Sequence, residues 1–364
     1  MASVTRAAQL PRGTSANDAF RKDVATWSAN AVDNAPSLAT KRAYDAALTA
    51  YRAVCVKMGC YHPVHGDFYP PMPFLLLAFV YHLVGALGLA VTTTKARISA
   101  VRGHALMLGL PDCFDADGRM PRVIAVALLG AERERALTAL KPLQRVPASA
   151  AVMRVLLDRA NAVLGPFEAA RFRAMITMAY FAALRLGDIL AQTVIAFDPL
   201  LHLCTTGVTM TKQTLPTREA NVINLTIQSS KTDRKRKGRV VMVVDQPGGM
   251  SLFDALTVWL HQRETHEQLD WSPAMFVTAR GQPMTTRSFR LELAKVTSSI
   301  EALPQGVLPH SFRKGAATVL KAHDYSDSVV AAAGRWASNC FLDYISPIVE
   351  KQDQMFASLA TSAY

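Results

Sequence analysis

The chain has 364 residues, half of them hydrophobic, enough for two packed domains or one large one. Five cysteines in that length exclude a disulfide framework and indicate a reducing compartment. The formal net charge of +12 points to a polyanionic partner such as nucleic acid, although a solvated basic surface would give the same balance.

Residues 1–30 are polar and rich in Ala and Ser; they lack the apolar core of a secretory signal and read as a flexible arm. Helical spacing starts after Ser37-Leu-Ala-Thr40, where Ser37 or Thr40 can cap it. It carries Tyr44, Ala47, Leu48, Tyr51 and Val54 to an end near Gly59. A Pro-rich link, residues 63–73, leads to an uncharged apolar run over 74–91 of nearly bilayer-crossing length. Its Tyr81, His82 and two glycines, and its isolation in the chain, favour a buried core helix. Thr92 to Thr94 break the pattern and cap a helix over 95–108, which Gly109 and Pro111 end; another helix spans 121–139. Together these segments predict a compact helical domain, with Lys41, Arg42, Arg97 and Arg102 as basic points on otherwise apolar helices. Cys55, Cys60, His62 and His65 lie close together, but their spacing is not a standard zinc pattern, and ordinary packing is the better account.

Residues 141–148, with two prolines and two basic residues, read as an inter-domain linker. Helices follow over 152–163 and 166–184, with Pro166 suited to the first helical position of the second. The period then changes. Val222-Ile-Asn-Leu-Thr-Ile227 alternates, and Arg239-Val-Val-Met-Val-Val244 is a β-branched run. Between them Ser229-Ser-Lys-Thr-Asp-Arg-Lys-Arg-Lys-Gly238 is the polar turn of a hairpin; its Arg234, Lys235, Arg236 and Lys237 fit either a nuclear-import signal or a DNA contact. From Leu252 the chain is helical again, so the fold class is mostly α with a small antiparallel β-sheet.

Four separated segments carry residues suited to chemistry on a phosphate. In Ala183-Leu-Arg185-Leu-Gly-Asp188, an Arg at the end of an apolar helix is costly to bury unless it holds an anion, and Asp188 can orient it. Lys231, in the hairpin turn, can reach into a groove and protonate a leaving oxygen. In His310-Ser-Phe-Arg313-Lys-Gly-Ala-Ala317 the His and Arg share a helix face if a helix begins there. Gly334-Arg-Trp336 offers an indole donor, with Tyr344 eight residues beyond the Trp. Each segment alone reads as ordinary structure: a surface ion pair, one basic loop residue among several, a satisfied core His, two packed aromatics.

In this order the four segments resemble those of the tyrosine recombinases, the phage-integrase-type family. ALRLGDIL resembles the first arginine box, SSKTDRKRKG the lysine-bearing β-turn, HSFRKGAAT the histidine–arginine box and GRWASNCFLDYI the nucleophile segment. The wording is similar to that of recombinases of eukaryotic mobile elements, the DIRS and crypton groups. Bacterial and phage members more often have Gly-His where this chain has Arg335-Trp336, usually nine residues rather than eight from the tyrosine, and Glu where Asp188 stands.

The resemblance implies a flexible arm (1–35), a helical core-binding domain (36–140), a linker (141–150), an α+β catalytic domain (151–349) and a tail helix (350–364). It implies attack by Tyr344 on a DNA phosphodiester. Arg185 and Arg313 hold the non-bridging oxygens, His310 moves or donates a proton, and Trp336 donates through its indole. Lys231 protonates the leaving 5′-oxygen, and Asp188 orients Arg185 or His310. Lys41, Arg42, Arg97, Arg102 and residues 234–237 contact DNA. The resemblance further implies a homotetramer on two recombination sites, a nuclear location in a eukaryotic host, and no metal, small-molecule cofactor or membrane partner.

Overall fold

The computed structural model describes residues 38–138, 146–216, 218–230, 233, 237–245, 250–266, 272–301, 303, 306–336 and 342. The chain divides into two compact units between Pro142 and Leu143.

In the first unit the helices are α1 (Leu38–Lys57), α2 (Pro73–Val80), α3 (Val91–Met107) and α4 (Arg122–Thr138). α1 packs on α2 and α3, and α2 packs on α4. Tyr51, Phe68 and Phe79 form the aromatic centre of their common core, with ring centroids 5.3 to 5.4 Å apart.

The apolar run over 74–91 is not one helix. Its α-helical part ends at Val80 and continues as a π-helical turn, Tyr81–Ala86; Gly88 then reverses the chain at φ +63°. The next helix starts at Val91 rather than after the threonines. Thr94 lies inside its first turn, where its hydroxyl donates to the Ala90 carbonyl. Among the described residues no helix is long and apolar enough to cross a membrane. Leu75, Leu76, Phe79, Val80 and Leu83 are core, as a buried helix requires. His62 Nδ1 accepts from the backbone N–H groups of Val64 and His65, so this ring closes its own loop. Among the described residues no group of three or more His, Cys, Asp or Glu could hold a metal.

The second unit begins with α5 (Ala150–Val163) and α6 (Pro166–Phe181), followed by the short α7 (Leu186–Ile189). Ser149 caps α5 by accepting from the Val152 N–H. α6 is apolar on almost every side and buried along most of its length, packed on α5, on α8 (Leu252–Thr265) and on α10 (Pro309–Ala322). The sheet has three antiparallel strands in the order β1 (Val208–Thr214), β2 (Glu219–Ile227), β3 (Arg239–Val244). Val222 pairs with Val244 and Ile227 with Arg239, so the predicted hairpin forms in register. β2 is central, and its Ile223, Leu225 and Ile227 enter the core. The polar strand β1 was not evident from the sequence, because it is an edge strand exposed over its last four residues. The remaining helices are α9 (Thr286–Ser298) and α11 (Asp327–Gly334).

Buried arginines tie this unit together. Arg171 on α6 donates to the Val277 carbonyl at 2.7 Å and to Glu292 on α9, with 2% of its side chain exposed. Arg263 on α8 donates to the Ser272, Ala274 and Met275 carbonyls. Each guanidinium supplies several N–H donors in a plane and so satisfies carbonyls that no strand ladder reaches.

Candidate active site

The Arg185 turn is built from its own sequence. α6 ends at Phe181, and Ala183 takes a left-handed conformation at φ +43°. Arg185 then leads extended into α7. Asp188 caps this short helix: its carboxylate accepts the Arg185 backbone N–H at 3.1 Å, and its own N–H donates to the Arg185 carbonyl at 2.9 Å. Asp188 is 3% exposed, whereas Arg185 is half-buried.

Helix α10 carries the histidine–arginine box. Ser311 accepts the Leu308 N–H at 3.0 Å, and Pro309 occupies the first turn, where a missing N–H costs nothing. His310 is half-buried one turn before Arg313. Gly315 admits a neighbour: a Cβ there would lie 2.0 Å from the Ala148 carbonyl oxygen. The Ala148 N–H in turn donates to the Ser311 carbonyl at 2.9 Å, tying α10 to the segment that enters α5.

Arg313 has no exposed surface, and its guanidinium donates to the carbonyls of Ala183 and Gly334. The Trp336 ring lies against it, 4.3 Å from the guanidinium carbon to the ring centroid. One side chain thus fastens the Arg185 turn, α10 and the end of α11. Trp336 packs with Ala317 and Val330 in a small separate cluster. Gly334 is dictated by that indole, since a Cβ there would stand 1.8 Å from the ring.

Arg335, between them, was not singled out in the sequence. It ends α11 in a left-handed conformation at φ +57°, and its side chain is 11% exposed. One terminal nitrogen donates to the Ala182 carbonyl at 2.8 Å; the other donates to the Ala183 carbonyl at 3.1 Å and lies 3.9 Å from Asp188 Oδ2. The residue stands nine positions before Tyr344, the more usual spacing for the family, and that spacing was the available signal.

Burial raises the Asp188 carboxyl above the ordinary range, against the pull of the Arg185 N–H and of the Arg185, Arg335 and Arg313 charges. Burial likewise lowers the Arg335 pKa, which Asp188 opposes and the Arg185 and Arg239 charges reinforce. Three guanidiniums therefore gather around a carboxylate whose ionised form the fold disfavours. Such a cluster is electrostatically suited to an incoming anion.

On the far side of a groove stands the hairpin. Asp233 closes its turn, accepting the N–H groups of Lys237 and Gly238 at 3.2 and 2.9 Å. Ser230, Asp233, Lys237 and Arg239 line the groove opposite Ser328, Arg335 and Trp336. Lys231, Arg234, Lys235, Arg236 and Tyr344 lie outside the described residues. So do residues 141–145 of the linker expected over 141–150, the arm over 1–35 and the tail over 350–364.

In the first unit Arg42 is exposed, and Lys41 and Arg97 are half-buried on their helices. Arg102 is engaged within its own unit. It makes paired hydrogen bonds to Asp112, at 3.0 Å from Nε and 2.6 Å from Nη2, and stacks over Phe114 at 4.3 Å. That guanidinium serves the fold of its own unit.

The profile of the phage integrase family matches residues 150–341, more than half of the chain. The chain belongs to the phage integrase family. Solved structures give the same fold. One is the site-specific recombinase XerH bound to its palindromic difH substrate after cleavage. It is 17% identical, with 80% of this chain and 71% of that one aligned at a TM-score of 0.53. Another is a lambda integrase dimer bound to a COC′ core site, 13% identical over 90% and 93% of the two chains, with a TM-score of 0.51. No curated protein matches the sequence. The integrase-family unit coincides with the segment that holds Arg185, Asp188, Arg313 and Trp336.

Proposed function

We propose that this chain is a site-specific recombinase of a mobile element, acting in integration or excision, which cleaves and rejoins duplex DNA through a 3′-phosphotyrosine bond at Tyr344. The observation that carries the reading is the convergence of Arg185, Asp188 and Arg313. One turn carries Arg185 and Asp188, a helix about 125 residues on in the sequence carries Arg313, and in a unit with the integrase fold they surround one cationic, carbonyl-braced site.

The uncatalysed reaction is slow, so charge on a pentacoordinate phosphorus must be stabilised by groups already in place. Arg185, half-exposed on its capped turn, meets a non-bridging oxygen. Arg313 braces the site from beneath and takes up phosphate charge. His310 moves a proton at the phosphate, and Asp188 sets the Arg185 turn. Tyr344 Oη attacks phosphorus as the 5′-oxygen leaves, and Lys231 protonates that oxygen. The bond energy is kept in the tyrosyl phosphodiester, so resealing is the reverse attack by a 5′-hydroxyl. No ATP enters, and the cations supply the charge that a metal supplies elsewhere.

The DNA is double-stranded, with Lys41, Arg42, Arg97 and the hairpin's basic residues on its phosphates and a homotetramer spanning two sites. We place the protein among DIRS- and crypton-like recombinases, acting in a nucleus, on the wording GRW and HSFRKGAAT. A nicked suicide duplex, taken from the protein's footprint on its host DNA, tests the chemistry: cleavage releases a short 5′-hydroxyl strand and leaves protein bound covalently. Resolution of a Holliday junction by the same protein then separates strand exchange from simple relaxation. Specific binding with no covalent product would instead mark a DNA-binding protein with an idle site.

A further inference from the structure

We propose that Arg335 is a phosphate-binding guanidinium of this site beside Arg185, held ready by the Ala182 and Ala183 carbonyls, and that Trp336 serves as the packing partner of Arg313 rather than as a donor to the phosphate. The inference rests on the recombinase reading for the identity of the phosphate, but not for the existence of the anion site.

Three observations carry it. The first is orientation. Two donors of the Arg335 fork are fixed on adjacent carbonyls at 2.8 and 3.1 Å, which sets the plane of a group that has five N–H donors in all. A guanidinium fixed in that way loses little entropy when it meets a planar or tetrahedral oxyanion. The second is location. Arg335 lines the groove beneath the hairpin, opposite Lys237 and Arg239, whereas Arg313 has no exposed surface at all. Of these two guanidiniums, Arg335 is the one the groove reaches. The third is charge. Arg335 stands among Arg185, Arg313 and Arg239, and Asp188 approaches it only to 3.9 Å, beyond hydrogen-bonding distance. Cations gathered in this way are stabilised by an anion entering among them.

The neighbouring Trp336 fits the complementary role. Its ring covers Arg313 at 4.3 Å and packs on Ala317 and Val330, and Gly334 leaves room for it. The backbone at Arg335 is left-handed; both consecutive side chains reach the groove wall, and the indole also lies over Arg313.

The test uses the full chain and inorganic pyrophosphate, followed by calorimetry and by the displacement of its phosphorus resonance. Wild type is expected to bind it saturably. Arg335→Gln, which keeps a polar side chain but not the charge, should weaken that binding about tenfold or more, and Arg335→Lys should recover part of it. Arg119→Ala removes the same charge from the other unit, where Arg119 faces Asp117, and should change little. Circular dichroism of each variant confirms that it is folded. Equal binding by wild type and a folded Arg335→Gln, or no saturable binding by wild type, overturns the proposal. Covalent capture on the suicide duplex is the independent arm. Loss of pyrophosphate binding in Arg335→Gln, with no adduct from wild type, keeps the anion site and sinks the recombinase reading. A normal adduct yield from Arg335→Gln keeps the recombinase and sinks the role of Arg335.

Discussion

Ala183 holds a backbone conformation that costs an L-residue about 1–3 kcal/mol, and its carbonyl accepts from both Arg313 and Arg335. Those two donors explain how the strain is sustained, and they make the Arg185 turn a rigid mount. Asp188 sits beneath it, buried. A carboxyl whose folded pKa is raised contributes stability in acid that is lost as pH climbs from the ordinary value of 3.8 through the raised one. Asp188→Asn keeps an oxygen for the Arg185 N–H and never ionises. Its melting temperature relative to wild type should therefore rise between pH 4 and pH 8. A gap that stays flat or reverses would show that the arginine charges outweigh burial. The same variant should cleave DNA more slowly at neutral pH, since the arginine cluster loses its counter-charge. Lys231, if it protonates the leaving oxygen, has a sharper signature. Lys231→Ala should slow cleavage by about 10²–10⁴ on normal DNA. It should be nearly normal on DNA with a 5′-bridging sulfur, which needs no proton to leave; an equal defect on both substrates would assign the lysine to phosphate binding.

At the scale of elements, α10 depends on one missing side chain. Gly315→Ala would drive a Cβ into the Ala148 carbonyl at 2.0 Å, so the helix carrying His310 and Arg313 must shift. Overpacking of this kind costs about 1–3 kcal/mol, which a denaturant midpoint would register. No change in midpoint would mean that the 148–149 segment gives way freely. The helix start at Pro166, and strands with β-branched runs such as 239–244, were readable in the sequence because local chemistry decides them. β1 was not, because Val208-Thr-Met-Thr-Lys-Gln-Thr214 becomes a strand only by pairing with β2. Nor was the break after Val80, where an apolar run gives no period and the glycines decide. Arg171 and Glu292 are 121 residues apart, and no local pattern announces such a pair. In the site, Arg185, His310 and Arg313 were visible as motifs. Arg335 was hidden because the neighbouring tryptophan is the residue whose chemistry draws attention, whereas the left-handed turn that separates the two exists only in three dimensions.

For the whole molecule, the net charge of +12 overstates the charge at the surface, since Arg171, Arg263 and Arg313 donate inward. Binding should still weaken steeply with salt, each phosphate neutralised adding about −0.9 to the log–log slope. Recombining two duplexes takes four cuts, and each chain has one proposed nucleophile, so the assembly we propose is a tetramer formed on paired sites from largely monomeric protein. Met355, Phe356 and Leu359 in the tail suit a contact passed cyclically from one protomer to the next. Deleting residues 350–364 should leave single-site binding intact and abolish the two-site complex in light scattering. A truncated protein that still assembles four copies would move the interface elsewhere.

The central claim is that Tyr344 carries the DNA, and peptide mapping of the covalent product tests it most directly. Protein captured on the nicked duplex is digested, and the nucleotide-bearing peptide is sequenced beside a Tyr344→Phe control. The expected result is a nucleotide on Tyr344, with Tyr344→Phe binding DNA normally and forming no adduct. An undiminished adduct from Tyr344→Phe, or a nucleotide mapped to another tyrosine such as Tyr325 or Tyr364, would contradict the account.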